Sequence, residues 1–184
     1  MLGITSWIDI GCKILLEEAR RIFSKSGELR EGSVHYHLLV SRWYIECWLA
    51  AKKYRRNEEP YLERIASSVL SVLPIFNMPA GLPLIGDVSP DCSPSYLHCL
   101  LDNTKTGWVA DLSPDEHQAL LKLKKDIKTN NSKIHELNNW WRTNVGFWTA
   151  IWHSTLDGWQ PLPGHGHQDF SGFELHYDKI PVFI

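Results

Sequence analysis

The sequence predicts an α+β protein with its helices and strands segregated along the chain. Three observations predict it. Segments with apolar residues at helical spacing occupy the chain up to Asn144 apart from a Pro- and Gly-rich stretch, start and stop signals divide them into several helices, and an aromatic, β-branched pattern replaces them from there to Ile184.

In the first helix, Trp7, Ile8, Cys12, Ile14, Leu15, Ala19, Ile22 and Phe23 form the apolar series. Glu17, Glu18, Arg20 and Arg21 lie between them, and Gly27 is the expected stop. A second helix is expected from Ser33 to about Tyr54, carrying Leu38, Leu39, Trp43, Ile45, Trp48 and Leu49. Asn57 to Pro60 breaks the pattern, and Pro60 suits the first turn of a third helix running through Leu73. Short connections of this kind suggest antiparallel helical hairpins. Prolines and glycines from Pro74 to Thr106 predict a long ordered loop. Ser113-Pro114-Asp115-Glu116 then reads as a helix start, with Ser113 as N-cap and Glu116 completing a capping box. A further short helix is expected over 132–141.

Beyond Asn144, Phe147 to Trp152 reads as a strand and Asp157-Gly158 as a hairpin turn. Phe173 to Tyr177 alternates, Asp178-Lys179 turns, and Pro181 to Ile184 begins another strand. The expected division is a helical unit over 1–144 and a β unit over 145–184. About three strands with an unpaired apolar edge are marginal alone, so the expectation is a fragment of a larger domain.

Composition narrows the function. With 43% hydrophobic and 22% charged residues the chain is globular rather than disordered. A net charge of -2 gives no electrostatic basis for binding nucleic acid or anionic membranes. No apolar run reaches membrane-spanning length, and no basic segment follows Met1 as in an export signal. The cysteines show no CxxC spacing. Cys12 and Cys47 read as small buried apolar residues, and a Cys92–Cys99 pair stays open. Tryptophan is abundant; it can fill a core or stack on sugar rings.

Two polar clusters carry chemistry. Gly164-His165-Gly166-His167-Gln168-Asp169 sets two imidazoles and a carboxylate in a glycine-flanked stretch ahead of a strand. Histidine suits both metal ligation and proton transfer near neutral pH, and His-x-His on extended backbone aims both rings the same way. A polar turn is the plain alternative. Glu31-Gly32-Ser33-Val34-His35-Tyr36-His37 opens the second helix, where Glu31 and His35, and likewise Ser33 and His37, can share a face. The plain alternative there is a capped helix start with solvated histidines.

Together, in this order, the clusters resemble the heparinase II/III-like polysaccharide lyases, which include heparin, heparan-sulfate and alginate lyases. Glu31-x-Ser33-x-x-Tyr36-His37 is similar to the family's tyrosine-bearing helix, and Met78-Pro79-x-Gly81-x-Pro83-x-x-Gly86-Asp87 to its proline-rich loop. Gly164 to Asp169 resembles its signature, and Ser171-x-Phe173-Glu174-Leu175 with Pro181 to Ile184 the strands after it. The last two stretches are the specific ones.

The resemblance implies the C-terminal part of an (α/α) helical toroid followed by the first strands of an antiparallel β-sandwich. It implies β-elimination at a uronic acid of an acidic polysaccharide, with Tyr36 as catalytic acid/base and His165 assisting at the carboxylate or sharing proton transfer. It makes His167 a ligand of a structural zinc ion, and it implies a bacterial cell envelope or periplasm as the compartment. Two departures stand out. Nothing before Glu31 matches the family's Asn-His pair, and the Asp and His that complete its zinc site have no counterpart here. One protein ligand cannot hold zinc, so the chain alone is expected to be inactive. A non-catalytic carbohydrate-binding or surface-polysaccharide assembly relative is the alternative. A metal-dependent hydrolase using His165, His167 and Asp169 ranks last.

Overall fold

A computed structural model of the chain describes residues 4–102, 104–127, 134–137, 139–154 and 172–184. Its helices come first and its sheet second, in the α+β arrangement expected. Helix α1 spans Ile4–Ile22, α2 Val34–Lys53 and α3 Glu59–Phe76. Three short turns follow: α4 at Pro94–Leu97, a 3-10 turn at His98–Leu100 and α5 at Gly107–Ala110. Helix α6, Pro114–Asp126, closes the helical part.

Local chemistry explains the boundaries. Ser33 caps α2, its hydroxyl accepting from the Tyr36 N–H, and Pro60 lies in the first turn of α3. Ser113 and Glu116 form the expected reciprocal capping box on α6. Helix α2 is the centre of the core: Val34, Leu38, Ile45 and Trp48 are buried along it, and it packs most extensively on α3 through Val69, Leu70 and Phe76. Each such side chain contributes about 1.5–3 kcal/mol by leaving water.

Five antiparallel strands form one sheet in sequence order: β1 Ile134–Leu137, β2 Trp140–Val145, β3 Trp148–His153, β4 Gly172–Tyr177 and β5 Ile180–Phe183. Alternation gives the sheet two characters. Trp140, Ile151, His153, Glu174 and His176 are buried on the inner face, toward the helices. Phe76 meets Trp140 edge to face at 4.9 Å, and Arg142 donates to the Pro74 carbonyl at the end of α3 (2.8 Å). Burial holds the Arg142 guanidinium below its ordinary pKa. Across β2 to β4 the outer face is uncharged, with Trp141 beside Trp152 and Phe173, Thr143 beside Ala150 and Leu175, and Val145 beside Trp148 and Tyr177, while on β1 Glu136 pairs with Trp141. Trp141 and Trp152 stack at 6.1 Å.

Several expectations change. The segment expected as a helix over 132–141 supplies β1 and the start of β2 instead. Its single apolar period is too short to outweigh pairing of Trp140 with His153 and Trp141 with Trp152 across the β2–β3 ladder. The sheet therefore has five strands rather than about three. Helix α1 stops at Ile22, before Gly27, because Phe23 leaves the helix to bridge with Leu29. Helix α3 continues past Leu73 to Phe76, with Pro74 inside its last turn. The expected loop over 74–106 is broken by α4 and the 3-10 turn, whose Leu97, Cys99 and Leu100 are buried. Cys12 and Cys47 are half-buried, and all four cysteines are free. The Asp157-Gly158 turn lies outside the described residues, whereas the Asp178-Lys179 turn joins β4 to β5, with Asp178 left-handed at φ 51°. Among the described residues no helix is long and apolar enough to cross a membrane.

Candidate functional site at the helix–sheet junction

The first turn of α2 sets the geometry. Successive residues of a helix point in different directions, so His35 and His37 leave opposite sides of it, and both are fully buried rather than solvated. His37 Nδ1 accepts the Leu29 N–H at 3.1 Å, and its Nε2 lies 3.2 Å from the Val69 carbonyl. An imidazole that accepts at Nδ1 and donates from Nε2 is neutral. Burial holds the His37 pKa down at about 4, with the Val69 carbonyl pulling the other way. His35 Nδ1 accepts the Ser89 N–H at 2.9 Å, while its Nε2 is buried with no hydrogen bond among the described residues. Burial lowers the His35 pKa as well, opposed by the Cys92 carbonyl.

A second polar pair faces the same loop from the sheet. Glu174 and His176 are two apart on β4 and share its inner face. His176 Nε2 lies 2.7 Å from Glu174 Oε1, and His176 Nδ1 accepts the Ala80 N–H at 3.1 Å. The other carboxylate oxygen, Glu174 Oε2, accepts the Leu84 N–H at 3.1 Å. A buried carboxylate is costly unless its oxygens find donors, and both do here.

The proline-rich loop 78–89 is thereby clasped from two sides. From α2, Ser33 Oγ donates to the Asp87 carbonyl (2.6 Å), and the Val34 N–H donates to the Ile85 carbonyl (3.1 Å). The chain passes so close to the helix start that a Cβ on Gly86, whose φ is +83°, would sit 2.6 Å from Ser33 Cα. Only glycine fits both the space and the left-handed backbone.

Three of the four stretches singled out in the sequence thus meet: the Glu31–His37 turn, the Gly86-Asp87 loop and the Phe173–Leu175 strand. Tyr36 is half-buried at this junction, packed against the core with its ring 6.2 Å from that of His35. His165 and His167, together with Asp169, lie outside the described residues. Among the described residues no three His, Cys, Asp or Glu side chains stand close enough to hold a metal ion.

Sequence reasoning did not anticipate the structural work of His35, His37, Glu174 and His176. One signal was present: Glu174 and His176 occupy positions two apart on an alternating strand, so a buried face must carry both. Apart from the Glu174–His176 contact itself, their partners are main-chain groups, from Leu29, eight residues from His37, to Ala80, ninety-six from His176, and these leave no mark in composition or spacing. Comparison with family models, with curated proteins and with solved structures finds no match for this chain.

Proposed function

We propose that the chain is part of a polysaccharide lyase that cleaves a uronic-acid-containing polysaccharide by β-elimination. One observation carries the reading. The Gly-Asp loop is hydrogen-bonded on one side to the tyrosine helix and on the other to the strand following the histidine stretch, all three having been chosen on sequence alone. On this reading the helices are part of an (α/α) toroid and the sheet is one layer of an antiparallel sandwich. The uncharged outer residues of β2 to β4 support a second layer there, since contiguous exposed apolar faces mark interfaces.

In the reaction a base removes the proton α to the uronate carboxylate. The electron pair forms the carbon–carbon double bond, the glycosidic carbon–oxygen bond breaks, and an acid protonates the departing oxygen. Tyr36 supplies the acid/base hydroxyl and His165 stabilises the carboxylate as it gains enolate character. His167 is the residue proposed to ligate zinc. The described residues offer that ion no donor set, and no step above uses it.

The test measures ultraviolet-absorbing unsaturated ends released from uronic-acid polymers. The chain by itself is expected to release none. A longer polypeptide read from its flanking coding sequence, carrying an Asn-His pair and further zinc ligands, is expected to release them. In that polypeptide Tyr36→Phe should slow release about a hundredfold or more. Release by the chain alone contradicts the proposal. A Tyr36→Phe protein as fast as its parent removes the acid/base role, and no release from the longer polypeptide favours a non-catalytic carbohydrate-binding relative.

A further inference from the structure

A groove between α1 and α3 gathers positive charge on a chain whose net charge is -2. It encloses about 500 Å3, within the range of small-molecule pockets. Its floor is apolar, built from Leu16, Phe23, Ile65 and Val69, and its rim carries Arg20, Lys25, Arg30 and Arg64. Among the described residues no Asp or Glu lines it. Among the described residues Arg20, Lys25 and Arg64 take part in no ion pair. Arg64 lies over the Tyr61 ring at 4.7 Å, and Arg30 Nε donates to the Phe23 carbonyl at 3.2 Å. These contacts hold two guanidinium groups at the groove while leaving most of their donors unused.

The end wall is fixed by the chain turn after α1. Gly27 has φ +97°, and a Cβ there would lie 2.3 Å from the Ser68 carbonyl oxygen, so the turn seats directly on α3. The groove is therefore a built feature of helix packing rather than a gap between loose side chains.

Its two halves select a ligand. A purely apolar occupant would leave four cations unmatched, and a bare inorganic anion would leave the apolar floor wet. Guanidinium forks favour carboxylate, sulfate and phosphate oxygens, and an apolar floor adds affinity for a hydrocarbon or aromatic body. We infer that this groove is a binding site for a small amphipathic anion, with the anionic head among Arg20, Arg30 and Arg64 and the apolar body on Phe23 and Ile65. The site stands apart from the proposed lyase machinery: neither Tyr36 nor any residue of loop 78–89 lines it.

The test is isothermal titration of the purified chain with anilinonaphthalene sulfonate, an aromatic amphipathic anion. One-site binding is expected, weakened about tenfold or more in the Arg20→Ala, Arg64→Ala double variant, in line with loss of charge-assisted hydrogen bonds. Uncharged phenylnaphthylamine should bind about tenfold more weakly than the sulfonate, and neither inorganic phosphate nor an oligouronate should displace it. Both arginines are exposed, and an unchanged circular dichroism spectrum verifies that the variant folds. The inference is overturned if the double variant binds like the parent, which would put the probe elsewhere, for example on the outer sheet face. It is equally overturned if the neutral analogue binds as well, or if phosphate or the oligouronate displaces the probe. Tyr36→Phe should leave the titration unchanged, so failure here and failure of the lyase proposal are separate results.

Discussion

Acidification should loosen this protein through His37 before most of its carboxylates are protonated. The ring is fully buried, and both nitrogens are committed, one to the Leu29 N–H and one to the Val69 carbonyl. Its pKa falls from an ordinary 6.5 to about 4 in the folded chain. As pH drops below 6.5 the unfolded chain takes up this proton while the folded chain resists it until about pH 4. The unfolded state therefore holds more protons across that window, and stability falls as pH falls through it. At about 1.36 kcal/mol per pH unit, the full loss is about 3 kcal/mol. That is a large part of the roughly 5–15 kcal/mol that stabilises an ordinary domain. Urea unfolding followed by tryptophan fluorescence at pH 7, 6, 5 and 4 measures it, with His37→Gln as the comparison. Glutamine keeps an acceptor and a donor but cannot take up the proton. The parent should lose about 3 kcal/mol more than the variant between pH 7 and 4. Parallel curves for the two proteins would refute the reasoning, because carboxylates titrate equally in both.

Three further outcomes are expected. Glu174→Ala leaves the Leu84 N–H and the His176 Nε2 proton without acceptors; it should cost about 2–4 kcal/mol in urea unfolding and speed hydrogen exchange at Leu84. Ser113→Ala removes the capping box of α6 and should cost about 1 kcal/mol, read as a lower thermal midpoint. Gly27→Ala sets a Cβ 2.3 Å from the Ser68 carbonyl oxygen at a left-handed φ; it should cost more than about 2 kcal/mol in urea unfolding, far above an ordinary surface change.

Much of the helical part was legible because its signals are local. Ser33, Pro60 and the Ser113–Glu116 box act within one turn, and each marks a helix start within a residue or two of where the sequence puts it. The Asp178-Lys179 turn is equally local. Strand β1 was not legible, since it exists only through pairing with β2, and a four-residue strand has little periodicity of its own. The junction was half legible. Tyr36 and the Gly86-Asp87 loop stand out as sequence, but the burial of His35 and His37 does not. Their acceptor atoms answer main-chain donors at Ser89 and Leu29, and nothing in the neighbouring residue types specifies those partners.

The clasp on loop 78–89 also bears on the order in which the chain folds. Its two sheet-side bonds join residues 96 and 90 positions apart, Ala80 to His176 and Leu84 to Glu174, whereas Ser33 and Asp87 are only 54 apart. Loop-closure entropy must be spent before such distant contacts give anything back, so the α2–α3 pair forms at lower entropic cost than docking of β4. Contacts made after the rate-limiting barrier alter unfolding and spare refolding. Stopped-flow measurements on Glu174→Ala should therefore show faster unfolding with refolding close to that of the parent. A matching slowdown of refolding would place the clasp in the folding nucleus instead.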